Sequence, residues 1–404
     1  MLFRKKDDIK IVGADSNSDF AYLSDSAVYL DSACQSLRPQ PVIDAVNEYY
    51  QKFNSCGERV KYQWGLTVDE RVAQTRLDIL KFLKLSPRKY FVSFTLNTTY
   101  GLNLILSQLK PDGLDKVITS EIEHNSVFLS TMAFSRRTGL PRAVISRNDD
   151  GSVNLDDLGS GNAVVVLNAV SNIDGRQLKN VADVASHVHR HGGILIVDAA
   201  QAMSHYHQLL TGVDADAICF SSHKMYGPSL GAIVAKKSLI ERLQPSFLGG
   251  GMVDDVDKDD FILSSTNDEH IHTIFEPGLQ SYGEIIGLGA AVKWLDRAGR
   301  DDHVLDYAGQ LLDFLKSARD FHVLNSEVTP TIAFYHDKRD IYGAHLLAKA
   351  MSDQGIMARS GHFCAHYYLA HVKKYPPLVR LSLGLHNRQS DVDKFIDVMK
   401  GIAK

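Results

Sequence analysis

Four short segments carry side chains whose types and order could do chemistry together. SSHKMYGP, residues 221–228, follows the apolar run AICF and holds Lys224 in a turn. A lysine that condenses with a carbonyl must be held still and partly desolvated, so that its neutral amine is available. Ser221 and His223 beside it could donate hydrogen bonds to a phosphate, although a lysine after a strand is, taken alone, usually a surface charge. Upstream, ILIVDAAQA ends its apolar run in Asp198, with Gln201 three residues on. An acid there is either a helix cap or the partner of a pyridinium nitrogen, which it would keep protonated as an electron sink. Further upstream, NTTYGLNLIL puts Thr98 and Thr99 at the head of a periodic apolar segment, either a threonine cap or an anion site made with backbone N–H groups. His124, in SEIEHNS after KVITSEI, is either polar surface or a ring that stacks on a cofactor and exchanges protons.

The elements that must position these residues alternate. KVITSEI, AVVVLNAV, ILIVDAA, AICFSS and GAIVAKK read as buried strands, with helix-length segments such as LKNVADVASHVHRH between them. That order predicts βαβ units and a mainly parallel sheet, with ligands beyond the carboxyl ends of the strands. After Gly283 the pattern becomes helical, and TIAFYH, GAHLLAKAMSDQG, VRLSLG and DVDKFIDVMKGI predict a smaller α+β domain beyond a long helix near residue 295. The expected division is an N-terminal segment 1–28 packing with the small domain, a large domain 29–295 and a small domain 296–404. The glycine-rich, acidic stretch GGGMVDDVDKDDFILSSTNDEHIHTIFEPG reads as an irregular connection near the site.

Bulk properties exclude several classes. The chain has 404 residues, enough for a large and a small domain, and its net charge of −4 leaves no basic excess for nucleic acid. There is no apolar run of membrane length and no apolar segment behind the basic start MLFRKKDDIK, so the expected compartment is the cytoplasm. Cys34, Cys56, Cys219 and Cys364 form no CxxC pair, and the 17 histidines include no HExxH, so neither a disulfide framework nor a metal site is expected.

Taken together, these segments resemble the class V aminotransferase group, in particular cysteine desulfurases of the short-loop kind that serve sulfur mobilisation. The resemblance runs from YLDSACQSLRPQPVIDAV to the final helix and includes EIEHNS, DAAQAMSH, SSHKMYGP, FEPG with IIGLGAA, and RSGHFCA. It implies fold type I of the pyridoxal 5′-phosphate enzymes, an α/β fold whose large domain carries a mainly parallel seven-stranded sheet. Lys224 would carry pyridoxal 5′-phosphate as a Schiff base and shuttle protons. Asp198 would pair with the pyridine nitrogen, Gln201 would touch the phenolic oxygen and His124 would stack on the ring. Thr98, Thr99, Ser221 and His223 would hold the phosphate, and Asn172 in AVSNIDG would lie beside cofactor and substrate. Arg380 in LVRLSLG would grip the substrate α-carboxylate, with Arg359 also in the substrate site. Cys364, flanked by Arg359, His362 and His366, would take sulfur from L-cysteine as a persulfide, leaving L-alanine. The resemblance further implies a homodimer and a sulfur-acceptor protein in iron–sulfur cluster or thio-cofactor synthesis.

The sequence departs from the family pattern at Phe363, where a histidine is usual, and at His366 and Tyr367, where Gln-Pro is usual. Leu279 follows FEPG in place of a threonine, with Ser281 nearby, and ERVKYQWG keeps Arg59 but presents Tyr62 and Trp64. These changes touch the substrate pocket, the phosphate contact across a dimer and the sulfur acceptor. They leave open another class V reaction, such as that of a selenocysteine lyase, an epimerase or an aminotransferase. A catalytically silent scaffold is disfavoured by the joint presence of Lys224, Asp198, Gln201 and His124.

Overall fold

The structure is a computed structural model that describes residues 18–24, 26–57, 60–264, 270–298, 302–338 and 343–402. Most of the expected N-terminal segment, residues 1–17, and Arg59 lie outside the described residues. In chain order, β1 (Val28–Tyr29) leads to α1 (Gln40–Lys52) and α2 (Gln63–Phe82). Then follow β2 (Tyr90–Thr95), α3 (Thr98–Gln108), β3 (Lys116–Ser120), α4 (Asn125–Thr138) and β4 (Arg142–Ile145). Next come β5 (Ala163–Asn168), α5 (Val181–Arg190), β6 (Ile194–Asp198), the single turn α6 (Ala202–His205), β7 (Ala217–Ser221) and β8 (Gly231–Lys236).

These strands form one seven-stranded sheet in the order β2-β8-β7-β6-β5-β3-β4. It is parallel except at β8, which runs antiparallel to β2 and β7. Every residue of β5, β6, β7 and β8 is buried. Helices cover both faces, so these strands are near-continuous apolar runs rather than alternating ones. The register sets Asn168 beside Asp198, so the carboxyl ends of β5 and β6 present their polar residues in one row. At Gly231, on the neighbouring β8, a Cβ would stand 2.5 Å from Asn97 Cα; only glycine lets the turn into α3 approach this closely.

The acidic stretch after β8 differs from the irregular connection expected. β9 (Val253–Val256) and β10 (Phe261–Leu263) pair as an antiparallel hairpin with a register shift between Ile262 and Leu263. The long helix α7 (Tyr282–Ala298) runs across residue 295, so the expected boundary falls inside it. Beyond it lie α8 (Asp302–Ser317), β11 (Phe321–Val323), β12 (Thr331–His336), α9 (Ala344–Asp353), β13 (Ile356–Met357), β14 (Arg359–Gly361), β15 (Leu378–Ser382) and α10 (Gln389–Ile402). The second sheet is β11-β12-β15-β14, all antiparallel, while β1 pairs in parallel with β13. Among the described residues no helix is long and apolar enough to cross a membrane.

Candidate active site

A polar cavity of about 230 Å³ opens where the carboxyl ends of the parallel strands meet the start of α3. Its wall includes Thr98, Thr99, His124, Asn172, Asp198, Gln201, Ser221, His223 and Lys224, nine residues expected from the sequence. Arg380 adjoins this lining, donating from Nη1 to Asn172 O at 2.9 Å. Arg359 and Cys364 also stand outside the lining.

Local structure explains each placement. Asn97, not a threonine, caps α3 by accepting from Tyr100 N at 2.9 Å, which releases Thr98 to another task. Thr98 N donates to Ser221 Oγ at 2.9 Å and its hydroxyl lies 2.7 Å from the same oxygen. The two hydroxyls and the helix N-terminus thereby converge on one end of the cavity, which suits an anion. Lys224 is half-buried in a tight turn after β7. Ser36 clamps that turn from both sides, since its N–H donates to His223 O at 2.8 Å and its hydroxyl accepts from Tyr226 N at 2.6 Å. Tyr226, buried and at φ +67°, accepts from Leu385 N at 2.9 Å and so ties the lysine turn to the segment after β15.

The electrostatics suit an amine that must react as a neutral nucleophile. Burial pushes the Lys224 amine below its ordinary range, with Asp198 opposing and Arg380 reinforcing. Burial lifts the Asp198 carboxyl, while the Ala200 N–H, 2.9 Å away, and Lys224 pull it back. His124 is pushed down to about 3, first by burial and then by Lys224 and Arg380. Its Nδ1 accepts from Ser126 N at 3.1 Å, so the neutral ring carries its proton on Nε2. His223 is pushed down to about 4 by burial, Lys224 and Arg38. Gln201 donates to Ala33 O at 2.7 Å, which carries the early YLDSAC segment to the edge of the cavity.

Beneath this row lies a buried pair that sequence reasoning missed. Arg147 Nη2 is 3.2 Å from Glu123 Oε1 and 2.9 Å from Asn168 O, and its Nε donates to Ser120 Oγ at 3.1 Å. Glu123 Oε2 in turn accepts from Asn168 N at 2.8 Å. The pair links the end of β3, just before His124, to the end of β5. A second missed clamp is Glu276 of FEPG, which accepts from Arg76 at 2.7 Å through both oxygens and from Phe94 N at 2.6 Å.

The cysteine loop is built differently. Cys364 is exposed, and it and Phe363 adopt φ values of +58° and +48°. Left-handed backbone at two successive non-glycine residues costs roughly 1–3 kcal/mol each and must be held by contacts. Asn172 Nδ2 donates to Phe363 O at 2.7 Å, Asn125 N donates to Cys364 O at 2.6 Å, and the Phe363 ring lies 4.9 Å beneath the Arg380 guanidinium. Asn172, expected only beside cofactor and substrate, therefore also anchors the cysteine loop. Arg359, expected beside Cys364, directs Nη1 to Cys34 Sγ at 2.8 Å instead. The His362 and His366 rings stack 5.3 Å apart.

Against known proteins, the aminotransferase class-V pattern matches residues 28–395. The chain belongs to the aminotransferase class-V family. Among members of this family, the probable cysteine desulfurase of Chlamydia muridarum is 31% identical over 95% of this chain and 97% of its own. That of Haemophilus influenzae is 30% identical over 95% of this chain and 88% of its own. The cysteine desulfurase of Thermococcus onnurineus superposes with a TM-score of 0.82 at 26% identity, over 93% of this chain and 94% of its own. The cysteine desulfurase CsdA of Escherichia coli gives 0.83 at 24% identity, over 96% and 97%. The class V chain thus has fold type I of the pyridoxal 5′-phosphate enzymes, with the seven-stranded sheet expected from its sequence.

Proposed function

We propose that this protein is a pyridoxal 5′-phosphate-dependent cysteine desulfurase that converts L-cysteine to L-alanine and takes the sulfur onto Cys364. The observation that carries this reading is the placing of Asn172, which lines the lysine cavity and also hydrogen-bonds the backbone beside Cys364. One side chain thus couples an amine site to an exposed thiol.

The residues fit the cofactor. Asp198 is buried, with the Ala200 N–H on Oδ1 and Ser126 also hydrogen-bonded to the carboxylate, and a ring N–H⁺ would offset the desolvation of its charge. Asn172 Oδ1 is buried and has no partner among the described residues. Thr98, Thr99, Ser221 and His223 line the same cavity and would hold the phosphate, while Gln201 would meet the ring's oxygen. When bound, pyridoxal 5′-phosphate supplies an electron sink conjugated to the substrate nitrogen.

Each protein group then has a task. Lys224, its amine biased towards the neutral form, anchors the cofactor and moves a proton at the substrate α-carbon. His124, neutral with Nε2–H, covers the ring without adding charge. Arg380 Nε is buried and has no partner among the described residues, leaving one donor of the fork for a substrate carboxylate. Cys364, exposed on its strained loop, accepts sulfur as a persulfide and can hand it outward to an acceptor protein. A homodimer is supported by Leu279, 75% exposed, with Leu96 and Phe247 also exposed. We place the protein in the cytoplasm, supplying sulfur for iron–sulfur cluster or thio-cofactor synthesis.

The test is product analysis with L-cysteine and the cofactor-loaded protein. Alanine in equal amount to the sulfur mobilised is expected. Pyruvate and ammonia in place of alanine would show a lyase and overturn the reading.

A further inference from the structure

One hydroxyl in the wall of the lysine cavity has no task in the mechanism above. Ser126 is buried and lines that cavity beside His124 and Asp198. It stands in the first turn of α4, where a serine ordinarily helps to cap the helix. Here the cap is the His124 ring, whose Nδ1 accepts from Ser126 N at 3.1 Å. The Ser126 hydroxyl is thereby released from the helix end, and it lies 2.7 Å from the same Nδ1. It is also hydrogen-bonded to the Asp198 carboxylate, which accepts from the Ala200 N–H at 2.9 Å as well. Both neighbours are acceptors, since Nδ1 turns its lone pair to Ser126 N and an ionised carboxylate has no proton to give. A serine hydroxyl carries one proton, so it serves only one of them at a time. Away from water an acceptor without a donor is costly, which makes the choice matter.

We propose that Ser126 is a positioning residue that couples Asp198 to His124, its O–H turning to His124 Nδ1 once Asp198 is paired with the cofactor's ring nitrogen; this rests on the placing of that nitrogen at Asp198 in the reading above. An unpaired carboxylate is the stronger acceptor and draws the hydroxyl to itself, because a hydrogen bond to a charged group exceeds one to a neutral imidazole. A protonated ring nitrogen donates to the carboxylate in its place and frees the hydroxyl for Nδ1. The change is a rotation about the Ser126 Cβ–Oγ bond, and no covalent bond forms or breaks. With both the N–H and the O–H of Ser126 on Nδ1, the imidazole is held neutral and fixed in plane, with Nε2–H facing away, when the cofactor is in place.

The experiment reads the His124 Nδ1 resonance by ¹⁵N NMR in the full chain, labelled at histidine and assigned by its loss in His124→Gln. The protein is loaded either with pyridoxal 5′-phosphate or with the analogue in which CH replaces the ring nitrogen. In the wild type, Nδ1 should shift upfield with pyridoxal 5′-phosphate relative to the analogue, as an acceptor gaining a donor. In Ser126→Ala the two cofactors should give the same resonance, and Ser126→Thr should restore the difference. With L-cysteine, Ser126→Ala should lower kcat for alanine formation by about tenfold and leave KM unchanged. Equal Nδ1 resonances in the wild type, while a ¹⁵N-labelled cofactor shows its ring nitrogen protonated, overturn the coupling and leave the placing of Asp198 standing. A difference that survives in Ser126→Ala also overturns the coupling, because the cofactor would then act on the imidazole directly. A neutral ring nitrogen in the wild type overturns both. The resonances are read without L-cysteine, so a failure of the desulfurase reading shows separately, as absence of alanine.

Discussion

The lysine cavity and the cysteine loop meet at Asn172 but are held by opposite means. Around Lys224 the side chains project from the ends of fully buried strands, and Asn168 and Asp198 are aligned by sheet register. Around Cys364 the backbone is left-handed at two successive residues, and the Asn172 amide and the Asn125 backbone N–H grip its carbonyls. The first region is positioned by strand ends in register, and the second by a few hydrogen bonds and a small apolar cluster that takes in Phe363 and Ala365. Chemistry that needs a fixed ring and a fixed amine belongs on the former. A thiol that must receive sulfur inside and deliver it outside belongs on the latter.

The largest expected effect comes from removing the reactive amine. Lys224→Ala should lower alanine formation by about 10⁴-fold, as loss of an anchoring group and a proton shuttle together. The visible absorption of the cofactor–lysine linkage should vanish with it, and a normal band in that variant would break the assignment of this cavity.

Next is the support under the strand ends. Glu123→Ala leaves Arg147 buried without its carboxylate and should cost about 3–5 kcal/mol of stability, measured by urea unfolding. Removing a contact of the cysteine loop, by Asn125→Ala, takes away the exposed amide that meets His366 Nδ1 at 3.2 Å and leaves the backbone N–H on Cys364 O, so it should change stability far less. Equal losses in the two variants would erase the contrast between the regions.

Arg380→Lys should come third. A point charge replaces a fork that reaches Asn172 O, Asp31 and the substrate, so kcat/KM for L-cysteine should fall by about 10-fold or more. Most of that loss should appear in KM.

A further effect is in pH dependence. His205, His223 and His386 are held down to about 4 and His124 to about 3, burial being the first cause for each. Their folded values lie below the unfolded value of about 6.5, so the unfolded chain binds more protons in between. Stability from these groups is complete above about 6.5 and is lost as the pH falls towards 4. His386→Gln should flatten that slope by about 1.4 kcal/mol per pH unit, read from unfolding midpoints between pH 6.5 and 4. An unchanged slope would contradict the buried neutral imidazole.

The contrast between the regions also governs what was legible in the sequence. Lys224, Asp198 and Thr98 are readable because each ends or begins an apolar run, and strand ends are where open α/β sheets bind ligands. Glu123 and Arg147 look like ordinary surface charges along the chain, since their pairing is tertiary. Arg359 meets Cys34 across 325 residues, so its sequence neighbour Cys364 was a misleading guide to its partner. β13 and β14, two and three residues long, are too short to show alternation. The β9–β10 hairpin is rich in aspartate, a poor strand former, and exists because its two arms pair.

The claim that the two regions divide the reaction is tested most directly with cofactor-loaded Cys364→Ser and L-cysteine. The account predicts that substrate still perturbs the visible spectrum, because the lysine cavity is intact, while alanine formation falls by about 10²-fold or more. Alanine formed at the wild-type rate by that variant would contradict it.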